Sequence, residues 1–168
     1  MQALTPTLLA FRRRPLENHS QDVLPALFIL ESSMHLAAGV VASWAPSAML
    51  QVFGVADHAG VAAVRATVEH AVAKQGVRTI VVCAEGSTPP EHGRGSARLL
   101  DACGHLTNDQ EIGALLRPHG IAIEAMWFDT LEGDVHLWDS RARRFEILAD
   151  SGLARFFGDI AARRAARP

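Results

Sequence analysis

The sequence predicts a single α/β domain whose central, mostly parallel β-sheet is flanked by helices. Three observations predict it. Residues 79–83 are a continuous apolar run rich in β-branched side chains, which is typical of a parallel strand covered on both faces. A helical pattern over residues 60–75 precedes this strand, and Gly76 follows it as a stop signal. Residues 132–134 are an acidic glycine turn between two apolar segments, which predicts a hairpin near the C-terminus.

Composition and charge limit the classes of protein that remain. The chain has 168 residues and is 49% hydrophobic, enough for one domain with a substantial core. We divide it into an N-terminal arm (1–22), a core (23–148) and a C-terminal helix (149–168). The net charge of −2 argues against a nucleic-acid binder, which normally has a basic face.

The expected location is the cytoplasm. No apolar run approaches the roughly 20 residues of a membrane span, and no signal pattern precedes Arg12. We therefore expect no membrane partner. Two cysteines, Cys83 and Cys103, do not make a disulfide framework, which fits a reducing compartment.

The first half of the chain predicts one N-terminal helix and two strands before the central helix. Thr5 followed by Pro6 is a start signal for a short helix over residues 3–14. Residues 26–30 form an apolar run that predicts the first core strand, and residues 36–44 a short helical segment. A second strand is predicted over residues 49–53, ending at a glycine.

The second half predicts two further helices, the hairpin and a last helix. The helices are expected over residues 96–103 and 109–117. The hairpin strands are expected over 121–128 and 135–138, followed by the apolar pair Phe145 and Ile147. The C-terminal helix is expected over residues 151–164, with Ser151 as its N-cap. Its apolar face consists of Leu153, Phe156, Phe157 and Ile160.

Polar side chains follow two of the predicted strands at their carboxyl ends. Residues 31–35 (ESSMH) follow the first strand, and Glu85, Ser87 and Thr88 follow the central strand. Ligands of open parallel sheets collect beyond the carboxyl ends of the strands. These side chains are therefore the first candidates for a functional site.

Several segments together resemble one known family, the β-class carbonic anhydrases. Residues 65–72 (RATVEHAV) with 76–83 (GVRTIVVC) are similar to that family's helix and central strand. Residues 126–135 (MWFDTLEGDV) are similar to its hairpin, and residues 27–30 fall where the family has its first strand. The resemblance covers roughly residues 7–148 and implies the fold of that family.

The resemblance does not extend to the zinc ligands. In the family two cysteines and one histidine hold a zinc ion, which lowers the pKa of its water so that hydroxide attacks carbon dioxide. The first cysteine falls here on Glu31 or Ser32, the histidine on Glu85 and the second cysteine on Thr88. We therefore expect no zinc, no cofactor and no zinc-dependent hydration of carbon dioxide.

The aspartate–arginine pair of the family is also replaced. Its positions carry Ser33 and His35, and the family's Arg-Asn-Ala-Gly segment is altered at residues 55–60. The first interpretation is therefore a pseudo-enzyme that acts as a binding, regulatory or structural protein. Its former metal pocket would be lined by Glu31, Ser32, Ser33, Asp57, His58, Glu85, Ser87 and Thr88.

A second interpretation is a re-equipped lyase or hydrolase. Glu31, His35 and Glu85, with His58 or His92, could hold a weakly bound metal other than zinc. Alternatively, two carboxylates could share a proton and perform acid–base chemistry. No His-Glu-x-x-His pattern supports this alternative.

The resemblance also implies a homodimer or a higher homo-oligomer. Family members wrap N-terminal helices around a neighbouring subunit, and two helices of this chain have apolar faces in need of a cover. Those faces consist of Leu8, Leu9 and Phe11 near the N-terminus and of Phe156 and Phe157 near the C-terminus. A small anion or another protein is the further partner considered.

Other reactive or aromatic side chains are expected to have structural roles. We interpret His70 and His136 as surface or core-edge residues and Cys103 as a structural thiol, although His105 lies two residues further on. The tryptophans Trp44, Trp127 and Trp138 are expected in the core or an interface.

Overall fold

A computed structural model describes most of the predicted core and the C-terminal helix. Its described residues are 26–31, 37, 39–41, 49–53, 58–87, 90 and 94–165. For residues 31, 49–53, 58–62, 150, 161, 164 and 165 this description covers the backbone alone. The helix predicted over residues 3–14 lies outside the described residues. Residues 37 and 39–41 are helical, in agreement with the helical segment predicted there.

Six strands form one mixed sheet in the order β2-β1-β3-β4-β5-β6. The neighbours β2, β1, β3 and β4 are parallel to one another, whereas β5 runs antiparallel to β4 and β6 antiparallel to β5. This sheet confirms the predicted α/β class. The strands are β1 (Ala26–Glu31), β2 (Met49–Phe53), β3 (Thr79–Gly86), β4 (Ala122–Asp129), β5 (Val135–Asp139) and β6 (Arg144–Ile147).

Four helices of seven residues or more accompany the sheet in the described part of the chain. They are α1 (His58–Gln75), α2 (Arg94–Asn108), α3 (Gln110–Leu116) and α4 (Asp150–Ala165), with a 3-10 turn at Arg117–His119 after α3. Gly76, at φ +67°, ends α1 as predicted, because glycine adopts left-handed backbone conformations without steric cost.

The start of α3 is held by one side chain. Asp109 Oδ1 accepts hydrogen bonds from the backbone N–H groups of Glu111 at 3.0 Å and Ile112 at 2.9 Å, as an N-cap does. Arg65 of α1 forms ion pairs with Asp109 at 3.2 Å and with Glu111 at 2.7 Å. Because these contacts join α1 to α3, they fix the layer of helices on one side of the sheet.

The two faces of the sheet bury separate clusters of side chains. We call them the α4 face and the α1–α3 face after the helices that cover them. The α4 face includes Phe28, Val81, Cys83 and Phe128 of the strands, which pack with Val40, Leu153 and Phe157. The α1–α3 face includes Leu27, Ile80, Val82 and Trp127, which pack with Val68, Leu99 and Ile112.

The C-terminal helix is part of this core. Phe156 and Phe157 are 9% and 1% exposed, and the ring centroid of Phe157 lies 6.2 Å from that of Phe28. The prediction that these two residues form an exposed face for a second subunit was therefore wrong. Arg163 further fixes α4 to the amino end of β3 by donating to Thr79 Oγ1 at 3.0 Å.

Several boundaries differ from the predicted ones for physical reasons. Helix α2 continues to Asn108 rather than ending at Cys103, since Gly104 does not interrupt it. Ser151 lies inside α4 rather than before it, so it is not the N-cap. The pair Phe145 and Ile147 belongs to a sixth strand, because the turn at residues 140–143 returns the chain alongside β5.

None of the helices in the described residues is both long enough and apolar enough to span a membrane.

Candidate functional site

The carboxyl ends of the four parallel strands meet at one edge of the sheet. Glu31 of β1 is paired with Phe53 of β2, Glu85 of β3 with Phe128 of β4, and the next pair is Gly86 with Asp129. Strand β3 therefore continues through Glu85, which the sequence placed in a turn. The strand backbone, rather than a loop, sets the position of this carboxylate.

Glu85 binds a backbone group of the neighbouring helical segment. Its side chain is half-buried, and Oε2 accepts a hydrogen bond from the N–H of Ala37 at 2.8 Å. Alternation along β3 places Glu85 on the α4 face with Cys83 and Val81. A backbone N–H that donates to a side chain is typical of the first turn of a helix, where a negative charge is favourable. Glu85 thus fixes the helical segment that includes residues 37 and 39–41 to β3.

The structure places only part of the predicted pocket. Ser87 follows β3 and is exposed. Glu31 ends β1, and His58 begins α1, but their side chains are outside the description. The remaining predicted residues, Ser32, Ser33, His35, Asp57, Thr88 and His92, lie outside the described residues. Convergence of Glu31 with Glu85 therefore stays a prediction.

The two cysteines are protonated thiols at neutral pH. Cys83 lies in β3, where burial raises the pKa of its thiol far above the usual range. Burial likewise raises the pKa of Cys103 on α2 to about 12. Both cysteines are free, and a buried neutral thiol behaves as a small apolar side chain. Neither is poised as the thiolate that zinc prefers.

The positions to which the resemblance assigns the zinc ligands carry side chains of a different type in the sequence. Zinc in that family requires thiolate and imidazole ligands, whereas the matching positions carry carboxylates and hydroxyls. The Glu85 carboxylate already accepts the N–H of Ala37. Across the described ranges, no group of three or more His, Cys, Asp or Glu residues is arranged to hold a metal.

A buried carboxylate at the same edge was not predicted as a functional group. Asp129 ends β4 and is 2% exposed. Its Oδ1 accepts the N–H groups of Leu131 at 2.8 Å and Glu132 at 3.1 Å, so it organises the hairpin turn. The signal in the sequence is an aspartate just before the turn at residues 132–134, since an aspartate side chain often accepts the backbone N–H two residues on.

A second polar group was also missed, on the α1–α3 face. Trp127 of β4 is paired with His136 of β5, and their side chains are 2% and 5% exposed. Within the described part of the chain, Trp127 Nε1 and both ring nitrogens of His136 are buried without a hydrogen-bond partner. The sequence offered no signal for this, because a tryptophan and a histidine in a hairpin are ordinary core residues.

Two glycines hold the indole ring of Trp127. A Cβ atom at Gly86 would lie 2.6 Å from Cζ2 of the ring, and one at Gly95 would lie 2.6 Å from Cη2. Both distances are shorter than any normal contact between non-bonded carbon atoms. The edge of the ring therefore fits between the end of β3 and the first turn of α2 only because both residues are glycines.

The solved structures to which the chain is similar include three β-carbonic anhydrases. The chain is similar to a tetrameric β-carbonic anhydrase of Sordaria macrospora, with 17% identity, a TM-score of 0.48, and coverage of 69% of this chain and 81% of that one. It is similar to the β-carbonic anhydrase CafA of Aspergillus fumigatus, with 14% identity, a TM-score of 0.43 and coverage of 70% and 76%.

The third is the β-carbonic anhydrase CafD of Aspergillus fumigatus, with 15% identity, a TM-score of 0.43 and coverage of 83% and 96%. All three are members of the family that the sequence resembles. No protein-family model matches the chain, and no curated protein matches it.

Proposed function

We propose that this chain is a β-carbonic-anhydrase-like protein without carbonic anhydrase activity, which acts as a binding, regulatory or structural homo-oligomer. The observation that carries the proposal is the hydrogen bond from the N–H of Ala37 to Glu85 Oε2, at 2.8 Å. The resemblance places the zinc-binding histidine of the family at Glu85. Here the same position holds the neighbouring helical segment.

The chemistry of the site supports the absence of zinc catalysis. An imidazole ligand of zinc is neutral and offers a ring nitrogen to the metal. A carboxylate at this position has a different geometry and carries a charge. Since Glu85 Oε2 already accepts a backbone N–H, zinc binding there would compete with a structural hydrogen bond.

The test is metal analysis of the untagged protein, purified without chelators. The proposal predicts less than one zinc per ten chains, with Glu85→Ala no different from the wild type. Glu69→Ala, which removes an exposed carboxylate of α1, is the matched control. Stoichiometric metal that Glu85→Ala removes and Glu69→Ala retains would overturn the proposal and favour the re-equipped enzyme with Glu31, His35 and Glu85.

Two exposed apolar residues support the homo-oligomer. Ile147 of β6, the edge strand of the sheet, is 60% exposed, and Leu131 in the hairpin turn is 67% exposed. Leu8, Leu9 and Phe11 supply a further apolar face in the sequence. Light scattering coupled to gel filtration is expected to give at least twice the 18.1 kDa mass of the chain. A monomeric mass at micromolar concentration would contradict this part of the proposal.

The cytoplasm is the location proposed for this protein. The chain has two free cysteines and no disulfide, which agrees with a reducing compartment. Fractionation of cells that express the tagged protein would test this location directly.

A further inference from the structure

Strand β6 (Arg144–Ile147) forms one edge of the sheet, and no strand of the described residues pairs with its outer side. Just beyond β6, the N–H of Leu148 donates to the carbonyl of Val135 at 2.7 Å. Hydrogen-bonded pairs alternate with non-hydrogen-bonded pairs along an antiparallel ladder. Counting back from Leu148 in the register of β5 and β6, the backbone N–H and C=O groups of Phe145 and Ile147 point away from β5.

The outer side of β6 is therefore a place where a further strand can pair. An edge strand presents unpaired backbone groups, and an extended segment of another chain can add to it. Natural edge strands often have charged side chains that keep other strands away. The exposed side chains of β6 include two charged ones, Arg144 and Glu146. These two charges decide which strand the edge accepts.

The charges of β6 are complementary to those of a second, antiparallel β6. Arg144 and Glu146 lie on the same face of the strand and form an ion pair at 2.8 Å. Their side chains are 68% and 47% exposed, so both can form further contacts. Opposite charges directly across an antiparallel pair stabilise it, whereas like charges destabilise it. A positive residue followed two positions later by a negative one matches the same pattern in reverse, which an antiparallel copy supplies.

The backbone and the charges together select one register. Only residues with outward backbone groups can form the hydrogen-bonded pairs between two β6 strands, so the possible registers differ by two residues. With Phe145 opposite Phe145 of the second copy, Arg144 of each strand lies opposite Glu146 of the other. A shift of two residues places either Glu146 opposite Glu146 or Arg144 opposite Arg144. The register centred on Phe145 thus avoids both repulsions.

We propose that β6 is a self-association edge, which pairs antiparallel with β6 of a second copy in the register centred on Phe145. This pairing joins two six-stranded sheets into one and is compatible with a two-fold axis, the symmetry of most homodimers. Ile147, which is 60% exposed, lies opposite Arg143 of the second copy, whose aliphatic stem can cover it. The inference rests on the proposed homo-oligomer and assigns its interface.

The test is charge reversal at the edge, with the mass of the full chain measured by light scattering coupled to gel filtration. Arg144→Glu places carboxylates opposite carboxylates, and Glu146→Arg places guanidinium groups opposite each other. Each variant alone is expected to have half the mass of the wild type. An equimolar mixture of the two is expected to regain the wild-type mass, because every charge then faces its opposite. Arg98→Glu, at an exposed position of α2, is the control and keeps the wild-type mass.

The mixture separates an interface from a general loss of stability, because two damaged variants would not restore each other. The double variant with Arg144→Glu and Glu146→Arg is likewise expected to keep the wild-type mass. If the wild type is oligomeric and both single variants keep its mass, the β6 interface is wrong while the proposed homo-oligomer stands. A mixture that stays at half mass overturns the register. A monomeric wild type contradicts the homo-oligomer and this interface together.

Discussion

The two faces of the sheet differ in how their polar side chains are hydrogen-bonded near the carboxyl ends of the parallel strands. On the α4 face, Glu85 accepts a hydrogen bond from the backbone N–H of Ala37, so its carboxylate has a structural role. On the α1–α3 face, Trp127 and His136 retain three buried polar atoms without a partner in the described part of the chain. One face thus uses a carboxylate to fix a helical segment to the sheet, whereas the opposite face has buried hydrogen-bonding groups without a partner among the described residues.

The largest expected effect concerns the helix that covers the α4 face. Phe157→Ala removes a ring that is 1% exposed and stacks on Phe28, so it leaves a cavity. We expect a loss of about 3–5 kcal/mol in the free energy of unfolding, measured by urea denaturation. If the loss vanished at high protein concentration, Phe157 would belong to a subunit interface rather than to the core of the chain.

Glu85 should make the next largest contribution on the same face. Glu85→Ala removes the charged carboxylate that accepts the N–H of Ala37. The loss of a hydrogen bond to a charged group lowers the free energy of unfolding by roughly 1.5–3 kcal/mol. Glu85→Gln should lose less, since the amide oxygen still accepts the N–H of Ala37. Chemical denaturation gives the free energy of unfolding of both variants, with Glu69→Ala at an exposed position as the control. Equal stability of Glu85→Ala and Glu69→Ala would mean that the hydrogen bond from Ala37 to Glu85 does not stabilise the fold.

The third prediction concerns the close fit of the Trp127 indole between Gly86 and Gly95, on the α1–α3 face. Gly86→Ala would place a Cβ 2.6 Å from the indole, and overpacking of this kind costs typically about 1–3 kcal/mol. Gly104→Ala is the control, because a Cβ there meets nothing within 4 Å and alanine favours the helix. Near-ultraviolet circular dichroism should change for Gly86→Ala alone. If neither the spectrum nor the stability changes, the space between Gly86 and the indole of Trp127 is large enough for a methyl group.

The smallest expected effect concerns the cap of α3. The N–H of Ile112 and the guanidinium of Arg65 lower the pKa of Asp109 below its usual value of 3.8. A carboxyl whose pKa is lower in the folded state stabilises the protein above its unfolded pKa, and this contribution is lost as the pH falls through the folded value.

Asp109→Ala should therefore lower Tm by less than about 4 °C at pH 7. The difference from the wild type should shrink as the pH falls below about 4. Thermal unfolding of both proteins between pH 7 and pH 3 measures this change. A constant difference across that range would show that the carboxylate charge of Asp109 makes no contribution.

Much of the fold could be predicted because its signals are local. The β-branched run at residues 79–83, the stop at Gly76 and the glycine turn at residues 132–134 each act within a few residues. The short strand β6 and the true end of α2 were missed, since pairing with β5 and packing on the sheet decide them. Burial of Phe156 and Phe157 was mistaken for exposure because periodicity shows that a face is apolar without showing what covers it.

Less of the candidate site than of the fold could be predicted from the sequence. Glu85 could be singled out because polar residues follow a buried strand, and the resemblance then gave its position a meaning. Its partner could not be found, because the N–H of Ala37 is a backbone group 48 residues away. Likewise, the pairing of Trp127 with His136 follows from the hairpin register, and their unpartnered nitrogens follow from packing in three dimensions.

We propose above that the Glu85 position is structural and does not support zinc catalysis. This proposal is tested most directly by stopped-flow measurement of carbon dioxide hydration, with the untagged protein supplied with one equivalent of zinc. We expect the uncatalysed rate of hydration for both the wild type and Glu85→Ala. A rate proportional to protein concentration that Glu85→Ala abolishes and Glu69→Ala preserves would contradict it.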